Sequence, residues 1–368
     1  MKALHALPLL LLLPTLGGCL QLQGQYMASE VTEGLYAIEH YRARTSELGI
    51  DRADPLGTVV RELVYERPWK VRAEVLAPED HRGQLMIFDG SSYVFWWPRF
   101  FFGMRIRGVR VPPRGEVREA ILASSLWTLR HYELDELEEG VVAGRAVRRW
   151  SATPAEGAAG AAGGLRPYTA ATDAEYHVPL QLSVPGPPAL KQDARPWYEL
   201  RFESIDFAAA PAPDAFRFQF PPGAIVYEWD LTGPDVTLEE AQARVSFPLL
   251  YPQRLPRGHQ LQRVVMSRHE DSEMVALLFP QRGRWLSLTE VENLGPILVP
   301  ELGITVQIGP TDGTGGGARE GVMNFAFGFT VLSWAEGNTA LTLIGNLPWP
   351  ELLEVAATIG PLSASGER

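Results

Sequence analysis

Few side chains in this sequence are spaced so that they could do chemistry together. Its histidines are His5, His40, His81, His131, His177, His259 and His269. No two of them have the HExxH spacing that sets two imidazoles on one helical face. None lies beside Asp or Glu in a recognised ligand pattern. Each reads as solvated or structural. Glu133 to Glu139 is a run of carboxylates. Paired carboxyls can divide acid and base roles, but this run suits a wet strand and turn. Gly313 to Gly317 is glycine-rich yet lacks the following Lys and Ser/Thr of a phosphate loop, so it reads as a surface turn. There is no G-x-S-x-G elbow. The expectation is a protein that is not an enzyme, with no catalytic residue, no metal and no cofactor. One thiol remains, Cys19. A lone Cys excludes disulfides and Cys-based metal sites.

The setting of Cys19 is specific. Lys2 is a minimal charged start, Leu4 to Leu13 is apolar but too short to span a bilayer, and Leu16-Gly17-Gly18-Cys19 follows. This resembles the lipobox of bacterial lipoproteins, in which the thiol is diacylated and the preceding peptide is cut. The resemblance implies a signal peptide over residues 1–18, lipidation with palmitate-like chains at Cys19, and a polar tether over 19–28. Two acyl chains hold a protein stably where one is marginal. The mature chain is then expected to sit in the cell envelope, anchored to the extracytoplasmic side of a bacterial membrane. No later run is long and apolar enough for a transmembrane helix.

Length and composition bound the rest. The 368 residues allow two or three domains, and 46% hydrophobic with 21% charged residues suits a globular chain with a real core. A net charge of −11 disfavours nucleic acid and simple docking to anionic headgroups.

The elements that would have to position a site centre on Glu62 to Pro98. Trp69, Val71, Ala73 and Val75 alternate with Lys70, Arg72 and Glu74, which predicts a strand with one wet face. Gln84–Phe88 and Tyr93–Trp97 follow, split by Asp89-Gly90-Ser91-Ser92, a hairpin signal. Both of these runs are apolar on both faces, so they must be covered twice or must line a cavity. Arg67-Pro68, Val71-Arg72, Gly83-Gln84-Leu85, Asp89-Gly90 and Trp97-Pro98 together resemble the LolA-like group. That group includes lipoprotein carriers such as LolA and LolB, the periplasmic sigma-factor regulator RseB, and anchored lipoproteins of Gram-positive bacteria. The resemblance implies an α+β fold: an antiparallel half-barrel with covering helices over a hydrophobic cavity, spanning residues 29–230.

Around that centre, a helix is expected over Glu30 to Tyr41 and another over Gly115 to Tyr132. Strands are expected at Tyr41–Ile50, Gly57–Glu66, Val141–Thr153, Tyr168–Val184 and Trp197–Phe207. The Val59/Val60 and Leu63/Val64 pairs leave the inward parity of the second strand open. Arg99 to Met104 is an aromatic run that suits a buried strand end or a lip over the cavity. Arg105 to Arg114 reads as a solvated loop, and Ala155 to Gly164 as a flexible insertion. Phe216, Phe218 and Phe220 close the domain.

A second unit is expected over 231–368. Thr237-Leu238-Glu239-Glu240 is a capping-box pattern, and Gly233-Pro234 can break the chain before it. Strands follow at Gln260–Ser267, Glu273–Phe279, Arg284–Thr289, Ile304–Ile308, Val322–Phe329, Thr330–Trp334 and Ala340–Ile344. A helix at Pro348–Ile359 ends the unit. Leu238-Glu239-Glu240-Ala241, Phe247-Pro248, Leu255-Pro256-Arg257-Gly258 and Trp334 with Leu343-Ile344-Gly345 resemble an uncharacterised α+β domain appended to extracytoplasmic bacterial lipoproteins. The functional expectation is burial of acyl chains, or another long apolar ligand, against Trp69, Val71, Ile87, Phe88, Phe95, Trp97 and Phe101. The partners are then the membrane, through the anchor, an acyl chain or lipoprotein, and a membrane protein met by the second unit. An RseB-like sensor of envelope state and a structural envelope lipoprotein are the alternatives.

Overall fold

Alternating strands joined by tight turns build the first sheet. A computed structural model describes residues 28–109, 116–155, 165–185, 196–270, 272–281, 284–292, 301–309, 319–326 and 329–362. Helix α1 covers 28–37. Strands β1 (His40–Leu48), β2 (Thr58–Glu66), β3 (Lys70–Ala77), β4 (Leu85–Phe88), β5 (Ser92–Trp97) and β6 (Phe102–Arg107) follow as an antiparallel meander. The β4–β5 turn closes as its residues require. Asp89 Oδ1 accepts the N–H groups of Ser91 and Ser92 at 2.8 and 2.7 Å, and Gly90 takes φ +98°.

Helix α2 (Val117–His131) leads to β7 (Tyr132–Glu136), β8 (Gly140–Val142), β9 (Arg145–Pro154), β10 (Tyr168–Asp173), β11 (Pro179–Pro185), β12 (Pro196–Asp206) and β13 (Ile225–Asp230). These join the meander in one 13-stranded sheet, ordered β13-β6-β5-β4-β3-β2-β1-β12-β11-β10-β9-β7, with β8 on β9. Every pairing is antiparallel except β13 on β6.

Two expectations change here. Arg105 to Arg107 is strand, not loop: Arg105 and Arg107 both reach Glu228 of β13, at 2.8 and 2.9 Å, so charge is matched across paired strands. Strand β13 itself was not anticipated. Residues 110–114 of the expected loop, 156–164 of the expected insertion and the Gly313 to Gly317 turn lie outside the described residues.

Beyond β13, helix α3 (Leu238–Arg244) starts on Thr237. The Thr237 side chain accepts from Glu240 N–H at 3.1 Å and Glu240 Oε2 accepts from Thr237 N–H at 2.9 Å, a complete capping box. A small ribbon pairs β14 (Leu250–Pro252) with β22 (Ile359–Pro361). Strands β15 (Arg263–His269), β16 (Ser272–Leu278), β17 (Leu286–Glu292), β18 (Ile304–Ile308), β19 (Arg319–Ala326), β20 (Phe329–Glu336) and β21 (Thr339–Gly345) form a seven-stranded antiparallel sheet ordered β15-β16-β17-β21-β20-β19-β18. Helix α4 (Trp349–Ala357) buries Leu352, Leu353, Val355 and Ala356, the apolar face read from its spacing. Among the described residues no helix is long and apolar enough to cross a membrane. The fold class is α+β, as the resemblance implied.

The largest core cluster is shared. Leu277, Leu288, Trp334, Leu341, Leu343 and Leu352 of the C-terminal half lie in it with Ile50, Val59, Val75 and Tyr198 of the large sheet.

Candidate apolar ligand site

Directly paired residues on neighbouring strands project to the same face. One row therefore runs Tyr41, Tyr65, Val71, Phe88, Tyr93, Ile106 and Trp229 across the large sheet. A second, one pleat away, runs Ala43, Leu63, Ala73, Met86, Phe95, Met104 and Tyr227. Both lie on the face that the helices cover. Leu35 and Ile38 pack near Tyr41, and Tyr36 and Ile121 against the cluster holding Phe88 and Tyr93. The two rows differ in exposure. In the first row Val71, Phe88, Tyr93 and Trp229 are at most 2% exposed while Tyr65 and Ile106 are half-buried; in the second Ala43 is buried, and Leu63, Ala73, Met86, Phe95, Met104 and Tyr227 are all half-buried.

The aromatic members stack in a continuous ladder. Centroids stand 4.4 Å apart for Phe88–Tyr93, 5.8 Å for Tyr93–Phe95 and 5.8 Å for Phe95–Trp97. The ladder turns through Trp97–Phe102 at 5.6 Å, Phe102–Tyr227 at 5.5 Å and Tyr227–Trp229 at 5.6 Å. Stacked rings favour each other beyond the area they bury, so the ladder is a stiff apolar floor. Burial pushes the Tyr93 hydroxyl well above its ordinary pKa, so it stays neutral.

The expected wall residues divide among three places. Val71, Phe88, Phe95 and Trp97 share the inner face, with Trp69 buried in the cluster of Phe88 and Tyr93. Ile87 projects to the other face, where Leu85, Ile87, Val94 and Trp96 are covered by Phe216, Phe218 and Phe220. Phe101 stands on a lip after a short 3-10 turn, Pro98–Phe100, with φ 49°. There Phe100, Phe101 and Ile225 are 40%, 45% and 62% exposed. Sequence reasoning missed Leu63, Met86, Met104 and Tyr227. Leu63 was one of the pairs whose parity was open. Met104 and Tyr227 join the floor only through the β6–β13 pairing. Cys19 lies outside the described residues.

The C-terminal sheet touches this floor. Val265, Met274, Ala276, Val291 and Ala340 cluster with Trp229, with Met104, Ile106 and Tyr227 packed against them. Trp285 lies in one buried cluster with Trp69, Phe88 and Tyr93. Two polar seams tie the halves at the rims. At one, Gly303 N–H donates to the Ile50 carbonyl at 2.8 Å and Arg52 N–H to the Glu301 carbonyl at 3.4 Å, around an Asp51–Leu302 bridge. Buried His81 contacts Asp51 there, Nε2 to Oδ2 at 3.3 Å, and its Nδ1 meets the Gln84 amide at 3.0 Å. A cleft of ≈ 330 Å³ lies beside this seam, lined by Gly49, Asp51, Arg52, Pro55 and Trp197 opposite Gly303, Thr305 and Glu320. At the other seam, Glu228 N–H donates to His269 Nδ1 at 3.3 Å and Asp230 N–H to Ser267 Oγ at 2.8 Å. Among the described residues, no group of three or more His, Cys, Asp and Glu is placed to hold a metal ion.

Comparison with known proteins gives the following likenesses. No family model matches the chain. An uncharacterized protein of Methanocaldococcus jannaschii is 26% identical over 135 residues, and the match spans 36% of each chain. Pseudomonas aeruginosa MucB, solved in complex with MucA, is 14% identical over 92% of this chain and 99% of its own, with a TM-score of 0.41. LprF from Mycobacterium bovis is 8% identical over 53% of this chain and 98% of its own, at TM-score 0.31. A LolA superfamily protein from Nitrosomonas europaea is 11% identical over 52% of this chain and 97% of its own, at TM-score 0.24. The solved neighbours thus include the LolA group that the sequence motif resembles.

Proposed function

We propose that this chain is an extracytoplasmic lipoprotein, anchored through Cys19, whose half-barrel binds acyl chains or another long apolar ligand on its inner face. The observation that carries the ligand reading is the half-buried row of Leu63, Ala73, Met86, Phe95, Met104 and Tyr227. Six adjacent strands contribute apolar side chains at one level of one face, and none of the six is fully buried. Apolar surface held in a concave sheet gains free energy by removing ligand methylenes from water, about 0.8 kcal/mol for each. No covalent step is involved. The two ends of the ladder are Phe88 and Trp229, and a floor of seven successive rings suits a chain rather than a compact ring.

The test is a titration of purified protein that starts after Cys19, and so lacks both the leader and the anchor, with the fluorescent fatty acid cis-parinarate. Saturable binding is expected. Phe95→Asp places a charge in the middle of the floor and is expected to abolish it while the circular dichroism spectrum is kept. Equal binding by the folded Phe95→Asp protein would reject this floor as the site.

A further inference from the structure

The floor is not open along its whole length. At the Tyr93 end it meets Trp285 of the C-terminal half, which is 7% exposed and clusters with Trp69, Phe88 and Tyr93. Val331 and Ile344 of the same half pack against that cluster. Trp285 is held from behind: its backbone N–H donates to Asn346 Oδ1 at 2.8 Å, and Asn346 N–H donates to the Trp285 carbonyl at 3.3 Å. The indole is thus a flat apolar group fixed against one end of the aromatic ladder.

The two faces of the seven-stranded sheet are packed unequally. One face carries Leu277, Leu286, Leu288, Leu332, Leu341 and Leu343, buried under α3 and α4 in the core that Ile50, Val59, Val75 and Tyr198 of the large sheet also join. The face turned toward the floor carries Leu278, Val331 and Ile344 with Met274 and Val291, but among them stand Ala276, Ala340, Ser287, Ser333 and Thr342 in register. Small and hydroxylated side chains bury far less apolar area than leucines, so this face holds its partner more weakly. The rim seams add polar ties that water can replace. Of the sheet's two packings, the one on the floor is the weaker, and it is there that the sheet can part.

We propose that Trp285 is an internal competitor for the ligand: when the C-terminal sheet is docked, its indole lies where the end of an apolar chain would lie. This rests on the reading of the floor as the ligand surface. A chain long enough to reach Tyr93 and Phe88 displaces Trp285 and loosens the sheet. Ligand occupancy is thereby converted into the position of the C-terminal half, and the docked state lowers the apparent affinity by the fraction of molecules that are open.

The experiment uses protein that starts after Cys19, with cis-parinarate as the probe. Trp285→Ala removes the competitor and is expected to tighten binding by about tenfold, as when about a tenth of molecules are open. A second variant locks the docked state. Asp51 and Leu302 are a bridged antiparallel pair flanked by the 50–303 and 52–301 hydrogen bonds, so they suit a cross-strand disulfide. Asp51→Cys with Leu302→Cys is expected to lose most of its probe binding when oxidised and to regain it when reduced. Unchanged or weaker binding by folded Trp285→Ala overturns the proposal. Should that variant not fold, equal binding by the oxidised and reduced double-cysteine protein overturns it. If the parent protein binds no probe at all, the floor reading fails first and the competitor with it.

Discussion

Leu250 donates its backbone N–H to Glu290 Oε2 at 2.8 Å, and Glu290 has no exposed surface. The carboxyl sits on β17 among leucines of the main core. Burial pushes its pKa from 4.5 up to about 8; the Leu250 bond pulls it partly back, and the Glu336 carboxylate adds a smaller push. The folded state therefore holds a proton that the unfolded state releases. Stability from this group is fully present below about 4.5 and is lost as pH rises through about 8. Glu290→Gln is expected to flatten that decline. Urea midpoints at successive pH values from about 5 to about 9 measure it. Between the two pKa values, each tenfold fall in proton concentration is expected to remove about 1.4 kcal/mol. A variant whose midpoint falls with pH as steeply as the parent's would contradict the account.

His259 works in the opposite sense. Burial, and then the nearby Arg284, lower its pKa from 6.5 to about 4. The unfolded chain takes a proton that the native imidazole refuses, so stability is lost as pH falls from about 6.5 toward 4. His259→Leu is expected to move the acid unfolding midpoint to lower pH. An unmoved or higher midpoint, read by near-ultraviolet circular dichroism, would count against it.

The cap on α3 makes a local prediction. Thr237→Ala loses the side-chain acceptor for Glu240 N–H and is expected to cost about 1 kcal/mol. Thr237→Ser is expected to restore most of it. Equal urea midpoints for Ala and Ser at this position would show that the box does not contribute.

Anchoring is tested at Cys19. Cys19→Ala is expected to leave the protein unprocessed and without acyl chains in mass spectrometry. Acyl chains on the variant, or a bare thiol on the mature parent protein, would reject lipidation at this residue.

We propose a division near residue 230, and the shared core makes a cooperative prediction about it. Ile50, Val59 and Val75 belong to the same cluster as the leucines of the C-terminal sheet. Removing residues 231–368 exposes them, so the intact chain is expected to melt in a single calorimetric transition. Two separate transitions, with the second half melting alone at its own temperature, would favour independent modules instead.

What was legible depended on distance along the chain. The β3–β4–β5 stretch was readable because its alternation and its Asp89-Gly90 turn are contiguous. The Thr237–Glu240 cap was readable because both its bonds span one turn. The Pro348–Ile359 spacing likewise matched the buried face of α4. The face of Ile87 was not readable, since a strand apolar on both sides carries no parity of its own. Met104 and Tyr227 became floor residues only through a parallel pairing between distant segments. The meeting of Trp285 with Trp69 has no local signal at all.

A half-barrel leaves a sheet with ends, and strand ends recruit other strands. Here the outward N–H groups of Glu228 and Asp230 on β13 are taken by the His269 ring and the Ser267 hydroxyl rather than by another backbone. Side chains satisfy the donors but offer no ladder to extend. An extended polypeptide arriving at this border finds the donors of Glu228 and Asp230 already engaged, which works there against strand-by-strand growth into aggregates.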